Sequence, residues 1–183
     1  MKSPGKIISR LLALAGLLGV LYLTAHALLQ KPVTLPEDVA TLLENADEFT
    51  LYSVAPYPNY LSELSGHASS TNLFQGHAIL GQLEIASPVT RTNLVVALNK
   101  GIAAEYWSYL PVSTRAIPNC FNPRHAIRAK KGDEAVELLI CFECKQIEIT
   151  SNKNGKWSYL TTSDPATVFN SILKQANVPL SSN

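Results

Sequence analysis

Hydrophobic positions along the chain follow three patterns: an unbroken run, a helical stripe and a period-two alternation. The unbroken run is residues 11–29, LLALAGLLGVLYLTAHALL, apolar on every side. As a helix it spans about 28 Å, close to the thickness of a bilayer core. The helical stripe appears three times. Over residues 36–47 it collects Val39, Leu42, Leu43 and Ala46, with Pro36 suited to a helix start and Glu37 and Asp38 favourable at the N-terminal end. Ser87-Pro88 opens a second helix, predicted to run to about Ala103 and to bury Val89, Leu94, Val95, Leu98 and Ile102. Gly101 is a cost inside that helix or marks its end. Asp164-Pro165 opens a third, which buries Val168, Phe169, Ile172, Leu173 and Ala176 before Asn177 and Pro179 stop it.

Period-two alternation predicts the strands. Residues 49–54 form a short one. In residues 76–86, His77, Ile79, Gly81, Leu83 and Ile85 alternate with Ala78, Leu80, Gln82 and Glu84, and Gly81 marks a bulge or a close backbone approach. The clearest alternation lies in residues 120–150, CFNPRHAIRAKKGDEAVELLICFECKQIEIT. Lys131-Gly132-Asp133-Glu134 suits a tight turn, so the stretch is predicted to be a β-hairpin. After the turn, Val136, Leu138, Ile140, Phe142 and Cys144 share one face, and Glu137, Leu139, Cys141, Glu143 and Lys145 share the other. Pairing Lys131 with Glu134 puts Arg128 opposite Glu137, His125 opposite Ile140 and Arg124 opposite Cys141. Pro123 has no N–H to donate, so regular pairing should fail near it. A second turn at residues 152–155 leads into a strand over residues 156–161. The aromatic-rich stretches at residues 55–75 and 105–119 read as a loop and a connector pinned onto the domain.

These elements predict an α+β fold: a mostly antiparallel sheet of about five strands with helices on one face, preceded by an N-terminal transmembrane or signal helix. Residues 1–30 are the anchor or signal peptide, 31–48 a linker with a short helix, and 49–183 the α+β domain. Lys2, Lys6 and Arg10 precede the apolar run, which keeps the N-terminus in the cytoplasm and sends the rest across the membrane. An uncleaved anchor gives a single-pass protein of the cytoplasmic membrane. Cleavage at Ala25-His26-Ala27 gives a periplasmic or secreted one. Lipoprotein processing is excluded, because that region has no cysteine. The expected partners are the membrane, through the N-terminal helix, and an envelope protein or ligand. A net charge of +1 gives no field for nucleic acid.

The candidate chemistry sits at the hairpin. Cys120, His125, Cys141 and Cys144 have types and spacings compatible with tetrahedral zinc. Strand parity opposes convergence: Cys141 and Cys144 point to opposite faces of a regular strand, as do Cys120 and His125. The alternative is a disulfide between Cys120 and Cys144 at the open end of the hairpin, suited to an oxidising compartment, with one thiol left over. Closing that loop stabilises by about 3.5 kcal/mol in the chain-entropy model. A thioredoxin-like role is weaker, because the Cys-x-x-Cys pair does not open a helix. His125 lies on the apolar face, where a lone histidine is more often a hydrogen-bonded core residue than a base. Arg124 and Arg128 share a face and form a candidate anion clamp, against the blander reading of a salt-bridged surface with Arg128 on Glu137.

The run Cys-x-x-Pro-Arg-His-x-Ile-Arg, a short turn, then Ile-Cys-Phe-Glu-Cys resembles a signature of an uncharacterised family of exported bacterial proteins. The matching positions are Cys120, Pro123, Arg124, His125, Ile127 and Arg128, then Ile140, Cys141, Phe142, Glu143 and Cys144. Ala126 departs from the glycine more usual after the histidine. The resemblance implies a shared fold and carries no activity across. No base, nucleophile and oxyanion donor can be assembled from the sequence. The expected function is therefore a non-catalytic binding or structural module of the envelope. The alternative is a metal- or thiol-dependent activity at the hairpin.

Overall fold

The structure is a computed structural model that describes residues 15–22, 24, 33–58, 72–108 and 120–181. It divides into two compact units, Met1–Pro32 and Val33–Asn183.

In the first unit the described residues 15–22 and 24 are helical and exposed. The expected N-terminal transmembrane or signal helix needs correction here. Among the described residues no helix is long and apolar enough to cross a membrane. The remainder of residues 1–30, including the Ala25-His26-Ala27 site, lies outside the described residues.

The second unit is α+β, with a seven-stranded sheet where about five strands were expected. Helix α1 (Glu37–Glu44) precedes β1 (Glu48–Pro58), β2 (Leu73–Phe74) and β3 (His77–Glu84). Helix α2 (Pro88–Ser108) leads to β4 (His125–Lys131), β5 (Glu134–Cys141), β6 (Gln146–Ser151) and β7 (Gly155–Leu160), and α3 (Pro165–Gln175) ends the chain's regular structure. The strand order is β2-β3-β1-β4-β5-β6-β7, and every neighbouring pair is antiparallel. Two strands escaped the sequence reading. One is β2, only two residues long. The other arises because the alternation after Gly132 is two strands, not one. The chain turns at residues 142–145, and Lys145 takes a left-handed φ of 57°. No Gly, Pro, Asn or Asp marks that turn, so its sequence gives no punctuation.

The β4–β5 register follows the expected pairing, with His125 opposite Ile140, Arg128 opposite Glu137 and Lys131 opposite Glu134. Parity then divides the sheet. Phe49, Leu51, Ile127, Ala129, Val136, Leu138, Ile140, Ile147 and Ile149 face the main core. That face packs against Val39, Leu42 and Leu43 of α1, Leu94, Leu98 and Ile102 of α2, and Phe169 and Leu173 of α3. Helix α1 thus belongs to the same core as the strands. Val89 departs from its expected burial: it is 70% exposed in the first turn of α2, ahead of the part of that helix that meets the sheet. A smaller cluster on the opposite face joins Tyr52, Val54, Phe74, Ala126 and Leu139.

Two residues lock the helices onto the sheet. Arg91, buried in α2, donates from Nε to the Ile85 carbonyl at 2.7 Å and from Nη1 to the Ala46 carbonyl, and lies over the Phe49 ring. Gly101 sits inside α2, which continues past it to Ser108. A Cβ there would lie 2.4 Å from Thr161 Oγ1 and 2.7 Å from Pro165 Cγ, so glycine lets α2 approach the start of α3. Opposite Gly81 the β1–β3 register slips between Ser53 and Val54.

Candidate functional site

The site forms at the open end of the β4–β5 hairpin, where the sheet stops and parity no longer separates side chains. An arm of residues 120–124 leads into β4. Its Arg124 N–H donates to the Ile140 carbonyl at 3.2 Å, and its Arg124 carbonyl accepts the Val54 N–H at 3.0 Å. Across from the arm stands the turn at residues 142–145. Its Lys145 carbonyl accepts the Thr161 N–H at 3.0 Å.

The turn resolves the parity problem for the cysteines. It folds Cys144 back so that its N–H donates to Cys141 Sγ at 3.0 Å, and Cys144 Sγ lies 2.8 Å from Cys120 Sγ. Cys141 and Cys144 are buried and Cys120 is exposed. Burial pushes the Cys144 thiol up, against a hydrogen bond with Cys120. The hydrogen bond with Cys144 raises the Cys120 thiol. Both groups are therefore protonated at neutral pH, the opposite of an activated nucleophile.

His125 does not join the sulfurs. Its ring packs against Phe142 at 5.3 Å and Phe169 at 5.7 Å, and its Nε2 lies 2.8 Å from Asn170 Oδ1. Among the described residues no group of three or more His, Cys, Asp or Glu side chains is arranged to hold a metal ion. Burial lowers the His125 pKa to about 4, outweighing the Asn170 hydrogen bond. The imidazole is neutral. With Oδ1 of Asn170 as acceptor, Nε2 carries the proton and Nδ1 presents a lone pair.

A cavity of about 390 Å³ opens beside His125. Asn122 and Arg124 line it from the arm, Phe142 and Glu143 from the turn, and Asn170 and Ser181 from α3 and the tail. Arg124 Nη1 donates to Glu143 Oε2 at 2.5 Å. Three buried polar atoms on these lining residues have no hydrogen-bond partner among the described residues: Arg124 Nε, His125 Nδ1 and Ser181 Oγ. Buried polar groups are usually satisfied, so three orphans on one cavity call for a reason.

The chain matches no family model, no curated protein and no solved structure. The site's meaning therefore rests on its own geometry.

The two arginines of the expected anion clamp are not brought together. Arg124 lines the cavity. Arg128 donates from Nε to Glu137 Oε1 at 2.7 Å and lies over Phe74 and Tyr52, 5.0 and 5.8 Å from their ring centroids. Glu137 also accepts from Gln75 Nε2 at 2.7 Å. Arg128 thus belongs to the salt-bridged face that its register predicts. Sequence reasoning missed Asn170 and Ser181. Asn170 had a signal: it sits beside Ala166, Phe169 and Leu173 at helical spacing, a polar side chain bordering an apolar stripe. Ser181, in the tail, had none.

Proposed function

We propose that this protein is a non-catalytic binding module of the cell envelope, and that its cavity takes a small polar ligand. The supporting observation is the set of unpartnered atoms Arg124 Nε, His125 Nδ1 and Ser181 Oγ around one cavity. Their roles are complementary. Arg124 Nε–H is a donor, His125 Nδ1 is an acceptor, and the Ser181 hydroxyl serves as either. A ligand carrying a carboxylate next to a hydroxyl or amino group satisfies all three. The ion pair with Glu143 keeps Arg124 from demanding a strongly anionic partner. Phe142, Ala166 and Leu180 supply apolar wall for a short carbon chain.

Binding is favoured over catalysis because the histidine is too weak a base at a pKa of about 4, and the Cys120 and Cys144 thiols are held protonated. An envelope location is supported by Lys2, Lys6 and Arg10 ahead of an apolar run.

The test is a titration of the ¹⁵N-histidine-labelled chain with glycolate, lactate, glycine and acetate. The reading expects the His125 Nδ1 resonance to move with glycolate, lactate or glycine. The shift should be smaller with acetate, which has no donor, and absent in Arg124→Ala. No response to any of the four, or an equal response in Arg124→Ala, refutes a ligand held by these atoms.

A further inference from the structure

We propose that Cys120 and Cys144 are a modification site, which a small external disulfide oxidises to a bond tying the arm before β4 to the turn after β5. Their sulfurs are 2.8 Å apart, and a disulfide bond is roughly 2.0 Å long. The backbone on both sides is already held. The Arg124 N–H fixes the arm to Ile140, and the Cys144 N–H and the Lys145 carbonyl fix the turn to Cys141 Sγ and Thr161. Closure therefore calls for little movement of either segment. Cys141 is the thiol left over: it is 1% exposed, and its sulfur accepts the Cys144 N–H.

The bond joins two walls of the cavity. Asn122 and Arg124 belong to the arm, and Phe142 and Glu143 belong to the turn. Oxidation thus fixes the separation of these walls, and reduction releases it.

The chemistry balances with oxidised glutathione as the oxidant. Cys120, the exposed thiol, loses its proton and attacks one glutathione sulfur, which expels the first glutathione as a thiolate. Cys144 then loses its proton, and its sulfur attacks Cys120 Sγ and expels the second. The glutathione S–S bond breaks and the protein S–S bond forms. The electron pair leaves with the two glutathiones, which take up the two protons. Because the hydrogen bond with Cys144 raises the Cys120 thiol, the first step accelerates as the pH rises.

The experiment treats the reduced full-length chain with oxidised glutathione and follows it by intact mass, peptide mapping and hydrogen exchange, with no ligand present. It is thus independent of the binding reading, and the two can fail separately. The expected product has lost two protons, links Cys120 to Cys144, and melts on the order of 10 °C higher than the reduced chain. Amide exchange should slow in residues 120–124 and 142–145. Cys141→Ser should keep the link and Cys120→Ser should lose it. A link through Cys141, a persistent glutathione adduct on Cys120, or three unreacted thiols overturns the assignment. A Cys120–Cys144 link that leaves exchange in both segments unchanged overturns the tie between the walls.

Discussion

The two ends of the β4–β5 hairpin share the same strands and behave differently. At the closed end, Lys131 pairs with Glu134 across Gly132-Asp133, the neighbouring side chains are exposed, and Gly132 takes a φ of 56°. At the open end, a proline-containing arm and an unpunctuated turn enclose buried His125, three cysteines and a cavity. The closed end is held at the surface, by the Gly132 turn and by polar contacts such as the Gly132 N–H to Asp47 Oδ2 at 3.0 Å and Asn152 Nδ2 to the Asp133 carbonyl at 2.7 Å. The open end is held by buried packing, with Phe169 of α3 against His125 and Phe142. The difference teaches that residues bridging distant segments can be assembled where strand pairing ends, because the alternation of faces no longer keeps them apart.

Mutations can break that contrast, and the largest effect belongs to the open end. Phe169 is fully buried and packs against both His125 and Phe142. Phe169→Ala should cost about 3–5 kcal/mol, read from the urea midpoint. Asp133→Ala at the closed end should stay within about 0.5 kcal/mol. Equal costs at the two ends would refute the contrast.

Next in size is the pH response of His125. Its pKa is about 4 when folded, against an ordinary value of 6.5. The unfolded chain therefore binds the proton first as the pH falls. Stability is fully present above pH 6.5 and declines between pH 6.5 and 4, by on the order of 3 kcal/mol. His125→Gln should flatten that part of the pH–stability curve. An unchanged slope in the variant would show that His125 is not buried as a neutral ring.

A smaller effect sharpens the account of the closed end. Gly132→Ala places a Cβ at φ 56°, where the space around it is open, so the cost is backbone strain alone. It should amount to about 1 kcal/mol in thermal unfolding, and Gly132→Asn should recover part of it. The smallest effect lies at the cavity mouth. The Glu143 side chain is 63% exposed, so its ion pair with Arg124 is screened by solvent. Glu143→Gln should change stability by about 0.5 kcal/mol or less, and less still at high salt. A larger, salt-insensitive loss would assign the pair a structural role.

Legibility in the sequence followed the same division. The helical stripes found α1, α2 and α3, and the Gly-Asp turn with the Arg128–Glu137 pair found the β4–β5 register, because each depends on neighbours a few residues apart. The break at residues 142–145 was not legible, since Phe, Glu, Cys and Lys mark no turn. That miss removed one strand from the count and left the cysteines on opposing faces. The short β2 was missed because two residues carry no period. Of the site, His125 as a hydrogen-bonded residue on the apolar face was legible from parity. Asn170 had only a faint trace, and the cavity had none.

By itself the sequence determined the helical and strand periods, the register of one hairpin and the face on which His125 lies. These are set by backbone geometry, which repeats every few residues and leaves its period in the order of apolar and polar side chains. The hairpin also suggested Cys120 and Cys144 as neighbours at its open end, but only the tertiary structure decided that the turn at residues 142–145 sets their sulfurs 2.8 Å apart and away from His125, that Arg124 parts from Arg128, and that α3 and the tail bring Asn170 and Ser181 to the cavity. These contacts join residues far apart in the chain. Their positions follow from how α3 packs on the sheet and where strand pairing ends, and no local period records either.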